Sequence, residues 1–149
     1  MDDVTQADLL HVGHLVRLAQ QVHSRLWSSV VSQEVTSPQF LLLSVLDKTP
    51  DIDQRTAAGA ASLDRSTGSE LIARLARRGL IERRRDELDM RRFLLRLTPE
   101  GEELLSELLP AIRRLNETMI ELVPSEHRAA FLAGIEAFVR DGESAQSLG

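Results

Sequence analysis

Apolar positions recur at three- and four-residue spacing over residues 12–35, where Val12, Leu15, Val16, Ala19, Val22, Leu26 and Val30 make one stripe of a long helix. Ser37-Pro38 restarts the chain, with Ser37 as N-cap and Pro38 in the first helical position. Residues 38–47 (PQFLLLSVLD) are apolar on nearly every side, which predicts a buried helix. Thr49-Pro50-Asp51 breaks it, and Asp53 then caps a short Ala-rich helix whose small side chains let its successor approach closely. That successor begins at Asp64 or Ser66 and turns Leu71, Ile72 and Leu75 inward. It ends with Arg77 and Arg78 in its last turn and Gly79 in the left-handed cap position. Residues 80–84 and 93–97 alternate instead (Ile81 in, Glu82 out; Leu95 in, Arg96 out), predicting a hairpin with a charged loop of about eight residues. Thr98-Pro99-Glu100 starts a long helix carrying Leu104, Leu105, Leu108, Ile112, Leu115, Met119 and Leu122, with Pro110 marking a kink. Pro124-Ser125 opens a last helix with Phe131, Leu132, Ile135, Phe138 and Val139 as its stripe, and the tail from Asp141 is expected to fray.

The fold class that follows is mainly α with a small β-hairpin wing (α+β): a winged helix-turn-helix lobe at 36–98 inside a single domain spanning 1–149. The helical regions at 5–35 and 99–142 carry more apolar stripe than one small lobe can cover. An obligate homodimer with interleaved N- and C-terminal helices satisfies both.

Composition narrows the class. No apolar run reaches the roughly 18 residues of a membrane span. The opening MDDVTQADLL has no apolar signal-peptide core, which points to the cytoplasm. The absence of Cys excludes disulfides, thiolate metal sites and thiol redox switches. Charge is placed unevenly: residues 65–96 hold ten of the 17 arginines against five acids, a basic segment in a chain of net charge −5. A basic head on an acidic body suits a protein that meets DNA phosphates with one surface.

In a helix-turn-helix the first residues of the second helix face base edges, here Arg65, Ser66, Thr67 and Ser69, with Arg74 farther along toward the backbone. The same residues also describe a capped helix with solvated arginines. The wing adds a specific pattern. R83-R84-R85-D86-x-x-D89-x-R91-R92 followed by L95-x-L97-T98-x-x-G101, with L75-x-R77-x-G79-L80-I81-x-R83 before it, resembles the MarR family of transcriptional regulators over nearly the whole chain. The resemblance implies a dimeric winged-helix protein on palindromic duplex DNA. Arg91 would reach into a minor groove whose negative potential attracts it, with Asp89 orienting it, and Arg92 beside it is expected to grip the DNA as well. Met90 departs from the small or polar residues common at its position.

The first helical region concentrates different chemistry: His11, His14, Arg17, His23 and Trp27. No HExxH spacing or assisting Cys points to a metal, and no cofactor is expected. Arg offers a planar two-bond fit to a carboxylate, and His and Trp supply hydrogen bonds and an aromatic wall. Periodicity alone puts His23 and Trp27 at the edge of the stripe and Arg17 on the far side, as surface. The segments H11-V-G13-H14-L15-V-R17, Q20-Q21-V-H23-S-R-L-W27 and V31-S32-Q-E34-V-T36-S37-P38-Q39-F40 are similar to the MarR branch that answers to aromatic acids such as protocatechuate. That resemblance implies a ligand between the first helix and the DNA-binding lobe, with Arg17 holding its carboxylate and His11 and His23 near the ring or its hydroxyls.

These readings converge on a repressor of aromatic-compound catabolism genes, released from a palindromic operator by a phenolic carboxylate. The alternative is a winged-helix DNA-binding or architectural dimer without small-molecule control. An enzyme is not expected, because no nucleophile-base pair, phosphate loop or paired-carboxylate pocket stands in the sequence.

Overall fold

A computed structural model of the chain describes Thr5 and residues 10–146. Residues 6–9 of the expected dimerisation region and 147–149 of the expected tail therefore lie outside the described residues. Two compact units divide the chain at Ile112/Arg113.

In the first unit, α1 (Val12–Leu26) widens into one π-helical turn, Trp27–Val31, where the Ser32 amide donates to the Trp27 carbonyl (3.2 Å). The helix stops four residues short of the expected Val35. The reason lies in Ser32, whose extended backbone lets its hydroxyl accept from the amides of Glu34 and Val35 (3.0 Å each), an alternative to continued helix. The Val35 carbonyl then turns back to receive the indole N–H of buried Trp27 at 2.6 Å. Next, α2 (Ser37–Lys48) is capped by Thr36 rather than Ser37. Gln39, three residues on, returns the bond by accepting from the Thr36 amide (3.0 Å), completing a capping box that Ser37 could not form with the apolar Phe40. The buried face of α2 is Gln39, Leu42, Leu43 and Leu46, while Leu41 stays exposed.

The two-residue strand β1 (Ile52–Asp53) was not visible as alternation. It leads into α3 (Gln54–Ala60), capped by Asp53 as expected. A Schellman turn ends α3: the Ser62 amide donates to Gly59 O and the Leu63 amide to Ala58 O, with Ser62 at φ 53°. The second helix of the expected helix-turn-helix, α4 (Arg65–Arg77), follows, capped by Asp64. A Cβ on Gly68 would stand 2.6 Å from the Cβ of Ala58, so glycine is what lets α3 and α4 cross this closely. A second Schellman turn closes α4 around Gly79 at φ 71°, with Leu80 N donating to Leu75 O.

The hairpin of β2 (Ile81–Arg85) and β3 (Phe93–Leu97) pairs antiparallel, Ile81 opposite Leu97 and Arg85 opposite Phe93. Strand β1 adds on the other edge of β3, giving the order β1-β3-β2. Leu42, Leu43 and Leu46 of α2, Ala57 of α3, Ile72 and Leu75 of α4, Ile81 and Leu95 of the wing, and Leu105 of α5 (Pro99–Glu121) make one core. This core holds α4 and the hairpin as one body. Helix α5 stays a single element across Pro110.

In the second unit a 3-10 turn, Ser125–His127, precedes α6 (Arg128–Gln146). The helix continues through Asp141 to Gln146, five residues past the start of the expected fray. Its small and polar residues (Gly142, Ser144) did not suffice to stop it.

Candidate nucleic-acid interface

The start of α4 assigns its side chains unequally. Asp64 accepts from the Thr67 amide (2.9 Å) and from its hydroxyl (2.6 Å), and both bonds hold the Asp64 carboxyl below its ordinary range. Thr67 has therefore given its hydroxyl proton to the cap. The Ser69 hydroxyl accepts from Gln54 Nε2 at 3.0 Å, which ties α4 to α3. Arg74 pairs with Glu70, one turn earlier, at 3.6 Å on the exposed face. Only Arg65 and Ser66 of the expected base readers keep side chains with no partner among the described residues.

Between α3, α4 and the wing lies a cleft of about 720 Å³, lined by Arg55, Arg65, Arg83, Arg91 and Arg92. Asp53 is the one acid in that lining, and Arg92 covers it at 3.1 Å. Hydrogen bonds from Thr56, then the contact with Arg92, lower the Asp53 carboxyl from 3.8 to about 2. The unfolded chain thus binds more protons between these two values. The stabilisation from Asp53 is complete above pH 3.8 and lost as pH falls through about 2. Melting temperatures measured across that window should fall more steeply for the wild type than for Asp53→Asn; parallel curves would remove Asp53 from acid stability.

The other wing arginines divide by partner. Asp51, at φ 60°, takes Arg96 through two bonds (3.0 and 3.2 Å) and Arg84 at 3.4 Å, leaving Arg84 Nε buried without a partner. Arg83 and Arg85 lie over the Phe93 ring at 4.4 and 4.5 Å. At the tip, Asp86 accepts from Leu88 N, and Asp89 accepts from Arg91 N at 3.0 Å. Asp89 thus orients Arg91 through its backbone and not through its guanidinium. The Arg91 guanidinium makes no ion pair among the described residues, and Met90 beside it is exposed.

The expected ligand residues fall into two groups along α1. His11 stands exposed at the N-cap, and Arg17 meets His14 at 3.3 Å, also exposed. Farther on, Trp27 is only 6% exposed and packs between His23 (centroids 6.0 Å apart) and Phe40 (5.8 Å). With its N–H given to Val35, Trp27 anchors α1 to α2. The cleft beside the wing includes none of these residues. Among the described residues no three His, Cys, Asp or Glu gather as a metal site would require, and no helix is long and apolar enough to cross a membrane.

Residues 35–93 match the MarR family model, from the end of the first connection to the start of β3. The chain is also 41% identical to the PcaV transcriptional regulator of Streptomyces coelicolor, solved with its natural ligand, covering 94% of this chain and 98% of that one at a TM-score of 0.83. It belongs to the MarR family. The transcriptional repressor NicR of Pseudomonas putida is 28% identical over 96% of this chain and 89% of its own. BpsR of Bordetella bronchiseptica, whose DNA binding is regulated by 6-hydroxynicotinic acid, is 26% identical over 87% of this chain and 98% of its own at a TM-score of 0.79. This MarR protein is accordingly a winged-helix, DNA-binding transcriptional regulator.

Two parts of the MarR head stand outside the sequence-based expectations. Arg55 enters the cleft from the first turn of α3, a place where a helix-turn-helix crosses the DNA backbone. Its signal was available, two residues past the cap at Asp53. The stacking of Arg83 and Arg85 on Phe93 had none, because it depends on strand register across the hairpin.

Proposed function

We propose that this MarR regulator is a homodimeric repressor that leaves a palindromic operator when it binds a phenolic carboxylate such as protocatechuate. The observation that carries the DNA half is the arginine-lined cleft between the recognition helix and the wing. Arg65, Ser66 and Ser69 address base edges, Thr67 supports the helix start, Arg74 and Arg55 contact phosphates, and Arg91, shaped by Asp89, enters the minor groove. Dimerisation is supported by uncovered apolar faces: Leu15 and Val16 on α1, and Phe131, Leu132, Ile135 and Phe138 on α6, are all exposed in the single chain. Two heads related by a twofold axis then meet half-sites about one helical turn apart.

The ligand half rests on likeness to PcaV in complex with its natural ligand, and on Arg17, whose guanidinium has only a histidine, His14, as hydrogen-bond partner among the described residues. Arg17 holds the carboxylate, and His11 and His23 meet the ring or its hydroxyls. Trp27 supports that wall by fixing the His23 ring. A hundredfold loss of operator affinity requires the ligand to prefer the non-binding state by about 2.7 kcal/mol. One desolvated Arg-carboxylate bond with ring burial is of that size.

Fluorescence anisotropy of labelled DNA from upstream of the gene tests both halves. Arg17→Ala should bind this DNA within about twofold of wild type and resist release by protocatechuate, given that a ligand shifts an equilibrium only by its differential affinity. Release of the variant at the wild-type concentration would sink the assignment. A folded dimer whose melting temperature no hydroxybenzoate raises would instead be the regulator without small-molecule control.

A further inference from the structure

Arg92 stands in the basic cleft, yet its bonds all lead back into the protein. Its Nη2 donates to Asp53 Oδ2 at 3.1 Å, and its Nη1 lies 3.9 Å from Asp86 Oδ2. Through the backbone, Arg92 N donates to Asp89 O (2.9 Å), and Arg92 O accepts from Asp86 N (3.0 Å), closing the neck of the wing tip. Asp53 in turn caps α3 and pairs with Leu94 of β3, while Asp86 also accepts from Leu88 N. One side chain therefore links the cap of α3, the end of β2 and the base of the tip that carries Arg91. The carboxylates it bridges are shielded, Asp53 at 21% and Asp86 at 14% side-chain exposure, with the half-exposed arginine over them.

We propose that Arg92 is a positioning residue: clamped by Asp53 and Asp86, it sets the wing against the helix-turn-helix, and so the span between Arg91 and Arg65. Its charge neutralises Asp53 in the DNA-facing cleft and Asp86 at the base of the tip, and is not directed at a phosphate. Asp51, two residues before Asp53, likewise holds Arg84 and Arg96. The short β1 segment thereby anchors three wing arginines. The inference rests on the DNA-binding reading above.

The alternative, a phosphate contact, differs in sign. Asp53→Asn keeps the helix cap, since Asn caps as well as Asp. It also removes a negative charge from the cleft and breaks the ion pair that ties Arg92 to Asp53. By charge alone this should tighten DNA binding. Loss of a clamp should weaken it. The experiment measures binding of full-length wild type, Asp53→Asn, Arg92→Gln and the double variant to operator and to unrelated duplex DNA over a series of salt concentrations. Expected are a fall of about three- to tenfold in operator affinity for each single variant, and a double variant no weaker than the worse single. The salt slope should match the wild type, and binding to unrelated DNA should be undiminished. A folding defect would lower the active fraction without changing the ratio of operator to unrelated affinity, so that ratio separates positioning from general structural damage. Tighter binding by Asp53→Asn, additive losses, or a slope reduced by about one per subunit in Arg92→Gln would overturn the clamp. If the wild type does not distinguish operator from unrelated DNA, the DNA-binding reading itself fails.

Discussion

Gly101→Ala is expected to destabilise the protein by about 3 kcal/mol or more, lowering the melting temperature by roughly 10 °C. Helix propensity argues the other way, because alanine is better than glycine inside a helix by about 1 kcal/mol. The local geometry decides between them. Gly101 sits in the first turn of α5, where Thr98 accepts from its amide (3.1 Å) and donates to Gly79 O (2.6 Å). Thr98 N in turn donates to Leu80 O (3.1 Å). An added Cβ would stand 2.1 Å from that Leu80 oxygen and 3.1 Å from its carbon. The obstacle is backbone held on both sides, by the Schellman bond of Leu80 N to Leu75 O and by the β2 ladder that begins at Ile81. Relief requires α5 to move away from the α4–β2 junction, opening the core at Leu97 and Leu105. Thermal unfolding of the variant checks this, and a melting temperature within about 2 °C of wild type would refute the packing argument. Operator binding should fall with stability, because the junction that yields also joins the recognition helix to the wing.

Gly101 also shows what the sequence could and could not convey. Its position after Leu97-Thr98 marked the start of α5, and Thr98, Asp53, Gly79 and the inward residues Ile72, Leu75, Ile81 and Leu95 all took their expected places. These depend on neighbours a few residues away, so local pattern carries them. The misses came from partners distant in sequence or from local side-chain bonds that periodicity does not register. Strand β1 is too short to alternate and exists because Ile52 and Asp53 find β3. Thr36 displaced Ser37 as cap through the reciprocal bond of Gln39. Helix α1 ended early because the Ser32 hydroxyl takes the amides of Glu34 and Val35, and Trp27, expected at a ligand wall, also donates to the Val35 carbonyl. In the head, counting arginines located the basic cleft but not which acids hold which arginines. Asp51 and Asp53 decide which arginines remain open to a ligand, and those acids stand more than thirty residues before the wing arginines they hold.

The arginines should therefore separate by experiment into two classes. Arg91→Ala and Arg65→Ala are each expected to weaken operator binding by about 10- to 100-fold, since a lost base or groove contact is worth roughly 1–3 kcal/mol. Neither should shift the melting temperature appreciably, because neither guanidinium is bonded within the described structure. Arg91→Ala should also discriminate less between operators with and without a narrow A·T-rich minor groove at the wing, where the negative potential is concentrated. Arg96→Ala should do the reverse. It breaks a two-bond ion pair with Asp51 that joins β3 to the β1 turn, so stability falls first, while the salt dependence of the binding that remains is unchanged. Titrations against operator over a range of salt, with melting temperatures for the same samples, measure both quantities. Equal losses of affinity and equal salt slopes for Arg91, Arg65 and Arg96 variants would mean that the basic segment acts as a diffuse charge. A division between them would show that two acids upstream of the head select which of its arginines reach DNA.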